Sequence, residues 1–329
     1  MSAAPDNLAA ALRRRYGAAA RVENVAIPTL GGSNRTIVFD LVEGASRRRL
    51  VSREETYRAA NSPFLSPPDQ FRLMRFVFAQ GFPVPEPVFE YDAGDATAPG
   101  YVCAYVEGET MPKAILHAPA LAQVRPTLAA RCGELLAMLH GMPRAEAAFL
   151  DGRPDSVDAV AAQRERYDSY GGGRPAIELG LRWLARNKPQ AAPPVLVHGD
   201  FRVGNIMVAP QGVTAVLDWE CAHIGSAWED LGWLCTRAWR FDRPDLTAGG
   251  LDTAAPLFAA YERVSGTRVD EEAVRYWTVF GLVRWAILNL MQVSGHLSGE
   301  RRGLVFAACG RNVSLIEYDL LMTLKGRYA

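Results

Sequence analysis

The stretch that most constrains this chain runs from Val195 to Glu220, VLVHGDFRVGNIMVAPQGVTAVLDWE. Two short apolar runs, Val195 to Val197 and Val213 to Leu217, each end in polar residues. The first delivers His198, Gly199 and Asp200, with Asn205 five positions on, and the second delivers Asp218. Runs this short and apolar, bounded by Gly and polar residues, read as buried strands. Phosphoryl transfer is chemistry that uses such a set. Its loose transition state asks for positioning and charge stabilisation: an Asp to orient the acceptor hydroxyl, and an Asn and a further Asp to hold Mg²⁺ on the phosphates. Asp200, Asn205 and Asp218 are candidates for those three tasks. The loop from Phe201 to Gly204 lets the chain fold back so that Asn205 can share a metal with Asp218, and Gly204 permits the tight turn. The plainer reading is local, with Asp200 and Asn205 closing an Asx turn and Asp218 capping a helix. The three together, in order and each at an apolar strand end, favour the shared metal.

At these residues the chain resembles the aminoglycoside phosphotransferase family, the small-molecule branch of the protein-kinase-like fold that also includes choline kinases. HGDFRVGNIMV followed by LDWE is close to that family's catalytic and metal-binding signature, and IGSAWEDLGWL resembles what usually follows it. The resemblance implies Asp200 as catalytic base, Asn205 and Asp218 as Mg²⁺ ligands and ATP as co-substrate. It also implies an α+β, two-lobed fold, with an N-terminal antiparallel sheet lobe over residues 1–106, a larger, mainly helical lobe over 107–329 and the nucleotide between them. His198 reads as a brace for the loop rather than a proton carrier.

Composition bounds the partners. With 329 residues, 49% of them hydrophobic, the chain can build a substantial core in one large or two modest domains. The formal net charge is zero, so nothing points to nucleic acid or an anionic membrane. Cys103, Cys132, Cys221, Cys235 and Cys309 are odd in number and scattered, which indicates neither a disulfide framework nor a zinc site and fits a reducing cytoplasm. The N-terminal segment lacks the long apolar core of a signal peptide; Leu8, Leu12 and Tyr16 recur at helical spacing instead. The apolar run GLVRWAILNLMQV is short and interrupted by Arg284, so a buried helix is expected rather than a membrane span.

Residues from Val22 to Val51 read as β structure. Between two of the strands lies Gly31-Gly32-Ser33-Asn34, a turn that exposes backbone N–H groups as a phosphate-covering loop requires. Ordinary hairpin chemistry accounts for the same residues, and the resemblance, which places a loop of this kind over the nucleotide, favours the functional reading. A kinase also needs a cation on the third strand. The chain has only three lysines, Lys113, Lys188 and Lys325, none in this part, so Arg must take the task. Arg53 is the first choice and Arg49 the second, since both share a strand face with Val51; a solvated basic edge strand is the alternative. Where the family usually carries a Glu to pair with the strand cation this chain has Gln70, so Asp69 or Glu54 is left to supply the counter-charge, unless the phosphates alone hold the Arg. The adenine is expected against backbone at Cys103, Ala104, Tyr105 and Val106, on the second strand of a hairpin.

The helical part begins with TLAARCGELLAMLHGM, whose buried face is Leu128, Cys132, Leu135, Leu136 and Leu139. Residues 155–187 read as two helices broken at Gly171 to Gly173. Such a pair commonly walls the acceptor pocket in the family, which makes Tyr167, Tyr170 and Trp183 candidates there, although aromatic residues at these spacings also serve as core. Glu220 is a candidate for acceptor contact. Asp230 is expected to cap its helix or brace the catalytic loop, and His223 lacks an evident partner for a metal. Arg284, a charge in an apolar helix, either faces the acceptor or pairs internally with an acidic residue. The substrate-side segments carry mixed charge with Arg prominent, which favours a neutral or anionic acceptor. The branch the chain resembles most includes the kinase-like domain of certain acyl-CoA dehydrogenases, which implies a hydroxyacyl-CoA or hydroxy acid as the small-molecule acceptor. An aminoglycoside or other antibiotic is the alternative acceptor, and a nucleotide-binding pseudokinase scaffold the alternative class.

Overall fold

The computed structural model describes residues 4–28, 34–56, 58 and 62–328. Two compact units make up the chain: Met1–Glu109 with Met207–Ala209 and Val213–Cys221, and Thr110–Ile206 with Pro210–Gly212 and Ala222–Ala329. The first unit therefore takes back the Asp218 segment from far along the sequence.

In order, the first unit contains α1 (Ala4–Tyr16), β1 (Arg21–Ala26), β2 (Asn34–Glu43), β3 (Ser46–Glu55), α2 (Pro67–Ala79), β4 (Pro87–Glu90) and β5 (Gly100–Ala104). The strands form one antiparallel sheet in the order β1-β2-β3-β5-β4. Period-two alternation decides what each face does. On β3, Leu50, Ser52 and Glu54 are buried on one side, and Leu50 joins Leu8 and Leu12 of α1 and Phe39 of β2 in a core. Val51 and Arg53 point the other way. α2 starts at the Ser66 cap with Pro67 in its first turn, and ends before Gly81 at φ +78°. Its buried side is Phe71, Leu73, Met74 and Val77, while Phe78 is 43% exposed.

The second unit contains α3 (Pro112–His117), α4 (Leu128–His140), α5 (Pro154–Ser169), α6 (Pro175–Arg186) and β6 (Val195–Val197). The ladder of β7 (Ile206–Ala209) and β8 (Gly212–Val216) follows, most of it in the first unit. The chain closes with β9 (His223–Gly225), α7 (Ala227–Cys235), α8 (Ala254–Ser265), α9 (Glu271–Ser298) and α10 (Leu304–Leu324). A sheet unit and a larger helical unit make the chain α+β. The break between α5 and α6 falls at Gly171, Gly172 and Gly173, all three at positive φ, where only glycine sits without strain. α4 presents its expected apolar face, and Gly133 lets it approach α8 so closely that a Cβ there would lie 2.2 Å from the Leu257 carbonyl oxygen. The long α9 is the spine. It starts at the Asp270 cap, ends at Gly299 at φ +87° and packs through Tyr276, Val279, Phe280 and Val283 against α5, α6 and α10. No described helix is long and apolar enough to cross a membrane.

Candidate active site

In the helical unit the H-x-D-x-x-x-x-N stretch is built as follows. β6 pairs with β9 and ends at Val197. The backbone then turns through Gly199 at φ +75°, and the two amides exposed there, His198 N and Gly199 N, donate to the carboxylate of Asp230 at 2.8 and 2.9 Å. Asp230 is fully buried in the first turn of α7 and also bonds His140 Nε2 at 3.2 Å; His140 Nδ1 lies 3.1 Å from the Tyr261 hydroxyl. Burial alone would push the Asp230 carboxyl up, but the bond from His140, with the charges of both histidines and the His198 amide, holds it below the usual carboxylate value. The Asp200 N–H donates to His198 Nδ1 at 3.1 Å, so His198 is the brace the sequence suggests. Asp230 likewise braces the loop.

Asp200 emerges from this frame with its carboxylate in three hydrogen bonds. Asn205 Nδ2 donates to Oδ2 at 2.6 Å, while Arg202 Nε and Trp233 Nε1 donate to Oδ1 at 3.1 and 2.8 Å. The turn that brings Asn205 back is closed by its own N–H on the Arg202 carbonyl at 2.9 Å, and Phe201 and Val203 anchor it as fully buried side chains. Gly204 sits at φ +111°, a backbone that L side chains rarely adopt, and a Cβ there would lie 2.7 Å from Arg202 Nη1. A carboxylate aligned by an amide, a guanidinium and an indole can accept a proton from a hydroxyl placed beside it.

In the sheet unit Arg53 stands on the face of β3 away from α1, opposite Tyr101 of β5, with Val51 opposite Cys103. Its Nη2 bonds Asp218 Oδ1 at 3.0 Å. Burial opposes the guanidinium's charge, yet Asp218, then Tyr101 and Glu220, more than offset it and raise its pKa. Neither acidic residue expected to balance Arg53 does so. Glu54 points to the opposite face of the sheet, where it accepts from Ser52 and faces Arg35, and Asp69 accepts from the Ser66 hydroxyl at the start of α2. Gln70 donates to the Leu65 carbonyl as a structural residue. Asp218 itself has φ +65°, a left-handed backbone that non-glycine residues adopt at a cost. It is held in place by its neighbours: Val216 N donates to the Pro83 carbonyl at 2.7 Å, Trp219 stacks edge-on against Phe82, and the Glu220 carbonyl accepts from Leu65 N at 2.7 Å. Arg49, the second choice for the cation, lies over the Tyr105 ring at 4.4 Å.

Of the loop expected over the nucleotide, Gly31, Gly32 and Ser33 lie outside the described residues, and Asn34 opens β2 opposite Glu55. In the run from Cys103 to Val106, Ala104 N donates to the Glu86 carbonyl and Tyr105 N to the Arg49 carbonyl, and Val106 lies beyond the strand.

The structure places three of the substrate-side candidates as follows. Tyr167 is fully buried in the helical core, its hydroxyl accepting from Arg174 N at 2.6 Å, so it presents no surface to a substrate. Trp183 packs against the same core beside Tyr276. Arg284 is buried, with Nη1 on the Gly199 carbonyl at 2.5 Å and 3.7 Å from Glu229 Oε1, which is the internal pairing rather than the acceptor-facing one. His223, read as lacking a partner, has Glu229 Oε2 at 3.1 Å. Sequence reasoning missed Arg202 and Trp233 on the carboxylate. The only available signals were the Arg two positions after Asp200 and a Trp in the helix that carries Asp230.

A model of the phosphotransferase enzyme family matches residues 27–267. Acyl-CoA dehydrogenase family member 10 of Mus musculus is 27% identical over 240 residues, and member 11 of Homo sapiens 30% identical over 174; the matched stretches take in 65% and 49% of this chain. The chain spans 22% of the length of each of these curated relatives. A homoserine kinase of Methylocella silvestris is 26% identical over 201 residues, covering 57% of both chains. Among solved structures, a Ralstonia eutropha protein provisionally assigned as an aminoglycoside phosphotransferase superposes with a TM-score of 0.72 at 20% identity over 98% of each chain. A spectinomycin phosphotransferase solved with ADP and spectinomycin gives 0.64 at 11% identity, over 97% of this chain and 98% of its own. At these identities the structures show a common kinase-like fold.

Proposed function

The chain belongs to the phosphotransferase enzyme family, and from that premise we propose that it moves the γ-phosphoryl group of ATP, with Mg²⁺, to a hydroxyl group of a small molecule. The observation that carries this reading is the Asp200 carboxylate, held by Asn205, Arg202 and Trp233 at the end of a strand whose backbone is pinned by Asp230. Asp200 orients the acceptor hydroxyl and takes its proton, a task worth about 10²- to 10⁴-fold in rate.

The side chains fit a magnesium nucleotide. Asn205 commits its amide nitrogen to Asp200, which leaves its oxygen for a metal, and Asp218 uses only Oδ1 on Arg53. Among the described residues there is no group of three or more His, Cys, Asp or Glu side chains that would cage a metal. Asn205 and Asp218 would be the residues to hold Mg²⁺, a cation bound through one or two protein oxygens together with those of its nucleotide. Arg53 has a buried Nε with no hydrogen-bond partner among the described residues, a donor suited to an anion. Mg²⁺, when bound, neutralises charge on the phosphates. Arg53 adds a second positive charge there, and backbone from Cys103 to Val106 receives the base. Glu220 lies near Arg53 and is kept as a candidate contact.

A neutral or anionic acceptor is the one favoured by the sequence, where Arg is prominent in residues 155–187. Relatives named as acyl-CoA dehydrogenase family members and as homoserine kinase support a hydroxyacyl-CoA, a hydroxy acid or an amino-acid alcohol. The five cysteines are free thiols, which supports a reducing compartment such as the cytoplasm. The test is ADP release with ATP and Mg²⁺ against hydroxyacyl-CoAs, hydroxy acids, homoserine, choline and aminoglycosides. Turnover with one of the first three is the expected result. Turnover with aminoglycosides alone overturns the acceptor assignment, and nucleotide binding without turnover on any of them overturns the enzyme in favour of a scaffold.

A further inference from the structure

The two oxygens of Asp200 are not equivalent. Oδ1 accepts from Trp233 Nε1 at 2.8 Å and from Arg202 Nε at 3.1 Å, whereas Oδ2 accepts from Asn205 Nδ2 alone of these three. Each carboxylate oxygen has two in-plane lone pairs. Those of Oδ1 are taken, and one remains on Oδ2.

Resting on the phosphotransferase reading above, we propose that Trp233 is a positioning residue that fixes the Asp200 carboxylate with Oδ2 as the proton-accepting atom. In the transfer step the acceptor O–H bond breaks and its proton goes to Oδ2. The acceptor oxygen bonds the γ-phosphorus, and the bond from that phosphorus to the bridging oxygen breaks, ADP leaving with the electron pair. An indole N–H suits the fixing role because it is a donor only and cannot turn an acceptor towards the carboxylate. Without it the carboxylate is free to rotate and exchange its two oxygens.

The surroundings of Trp233 show that its orientation is built. The side chain is 2% exposed. On α9, Gly281 leaves the space for the ring: a Cβ there would lie 3.1 Å from Trp233 Cε3. Arg284, three residues on and so on the same helix face, places its guanidinium 5.1 Å from the Trp233 ring centre while its Nη1 holds the Gly199 carbonyl. Trp239 packs against Trp233 at 5.1 Å between centroids, and the guanidinium of Arg202 lies 4.7 Å over Trp239. One face of α9 thus secures both the indole that bonds Asp200 and the backbone just before it. Arg284 acts through Trp233 and Gly199, which accounts for a cation buried in the apolar middle of the helix.

The test uses the full chain with Trp233→Phe, which keeps most of the ring volume and lacks the N–H. The assay is ATP hydrolysis with Mg²⁺ and water as acceptor, read as ADP release. A hydrogen bond to a charged group is lost, so kcat is expected to fall roughly tenfold to a hundredfold while KM for ATP stays within about twofold. Unchanged kcat, or a loss confined to KM, overturns the proposal, because a merely space-filling tryptophan predicts those results. A second measurement does not depend on turnover or on the folding of Trp233→Phe. In the ¹H–¹⁵N spectrum of the full chain the Trp233 indole resonance is expected to move in Asp200→Ala by more than the indole resonances of Trp183 and Trp277; an unmoved Trp233 resonance overturns the proposal. If the wild-type chain releases no ADP with any acceptor, the phosphotransferase reading fails and the role of Oδ2 falls with it, while the resonance still reports whether indole and carboxylate are bonded.

Discussion

The Asp200 loop and the Asp218 turn both present a carboxylate, and they are held in opposite ways. Asp200 sits on a frame of buried polar bonds, from His140 through Asp230 to the His198 and Gly199 amides, and its own two oxygens are met by three donors. Asp218 has one ion pair, with side chains 24% exposed for Arg53 and 30% for itself, and a backbone in the left-handed region. Polar frames of the first kind are worth most when complete, because each buried group left unbonded costs its full desolvation. The second kind costs strain and keeps bonding capacity open. The contrast teaches a division of labour: the residue proposed to move a proton is aligned in advance, and the residues proposed to meet metal and phosphate keep bonding positions in reserve.

The largest effect that tests this contrast is on turnover. Asp200→Ala is expected to lower kcat by about 10²- to 10⁴-fold with ATP binding, measured by calorimetry, nearly intact; wild-type turnover in this variant breaks the assignment. Next, Asp230→Asn should destabilise the chain by about 3–5 kcal/mol in urea unfolding, since it removes a fully buried charge that bonds two amides and His140. A loss under about 1 kcal/mol would mean that the frame is not what holds the loop. Smaller again, Asp218→Gly and Asp218→Asn both remove the charge, so comparing them isolates the backbone. The glycine variant is expected to be the more stable by about 1 kcal/mol, with turnover lost in both.

The smallest effect concerns pH. Burial lowers the pKa of His223, and its pairing with Glu229 outweighs that, so the folded pKa lies above the ordinary 6.5. A raised folded pKa contributes stability that is fully present below the unfolded value and fades as pH rises through the folded one. The unfolding midpoint of the wild type should therefore fall on going from about pH 6 to about pH 9 more than that of His223→Gln, and parallel curves would show that the pair is electrostatically silent.

What the sequence made legible follows the same contrast. The Asp200 loop was readable because its members lie within eight residues and its brace, Asp230, lies in the first turn of the next helix. The face of β3 that Arg53 occupies was readable from period-two alternation, and the absence of lysine from that part singled this residue out as the candidate cation. Its partner was not. Glu54 and Asp69 were the neighbours in sequence, but adjacency on a strand sends Glu54 to the opposite face and a cap takes Asp69, while Asp218 arrives from 165 residues away. Trp233 escaped for a related reason: a tryptophan in an apolar helix gives no sign of whether its N–H meets backbone, solvent or a carboxylate. Tyr167 failed in the other direction, its spacing being equally that of a pocket wall and of the core it occupies.

Burial also decides how the five thiols behave towards reagents. Cys103, Cys132 and Cys235 are each pushed up to about 12 by burial, so at neutral pH they stay protonated and unreactive. An alkylating reagent aimed at Cys103 would therefore find no nucleophile, whereas a spin label or fluorophore would attach to the native chain at the partly exposed Cys221 and, more slowly because burial raises its thiol as well, at Cys309.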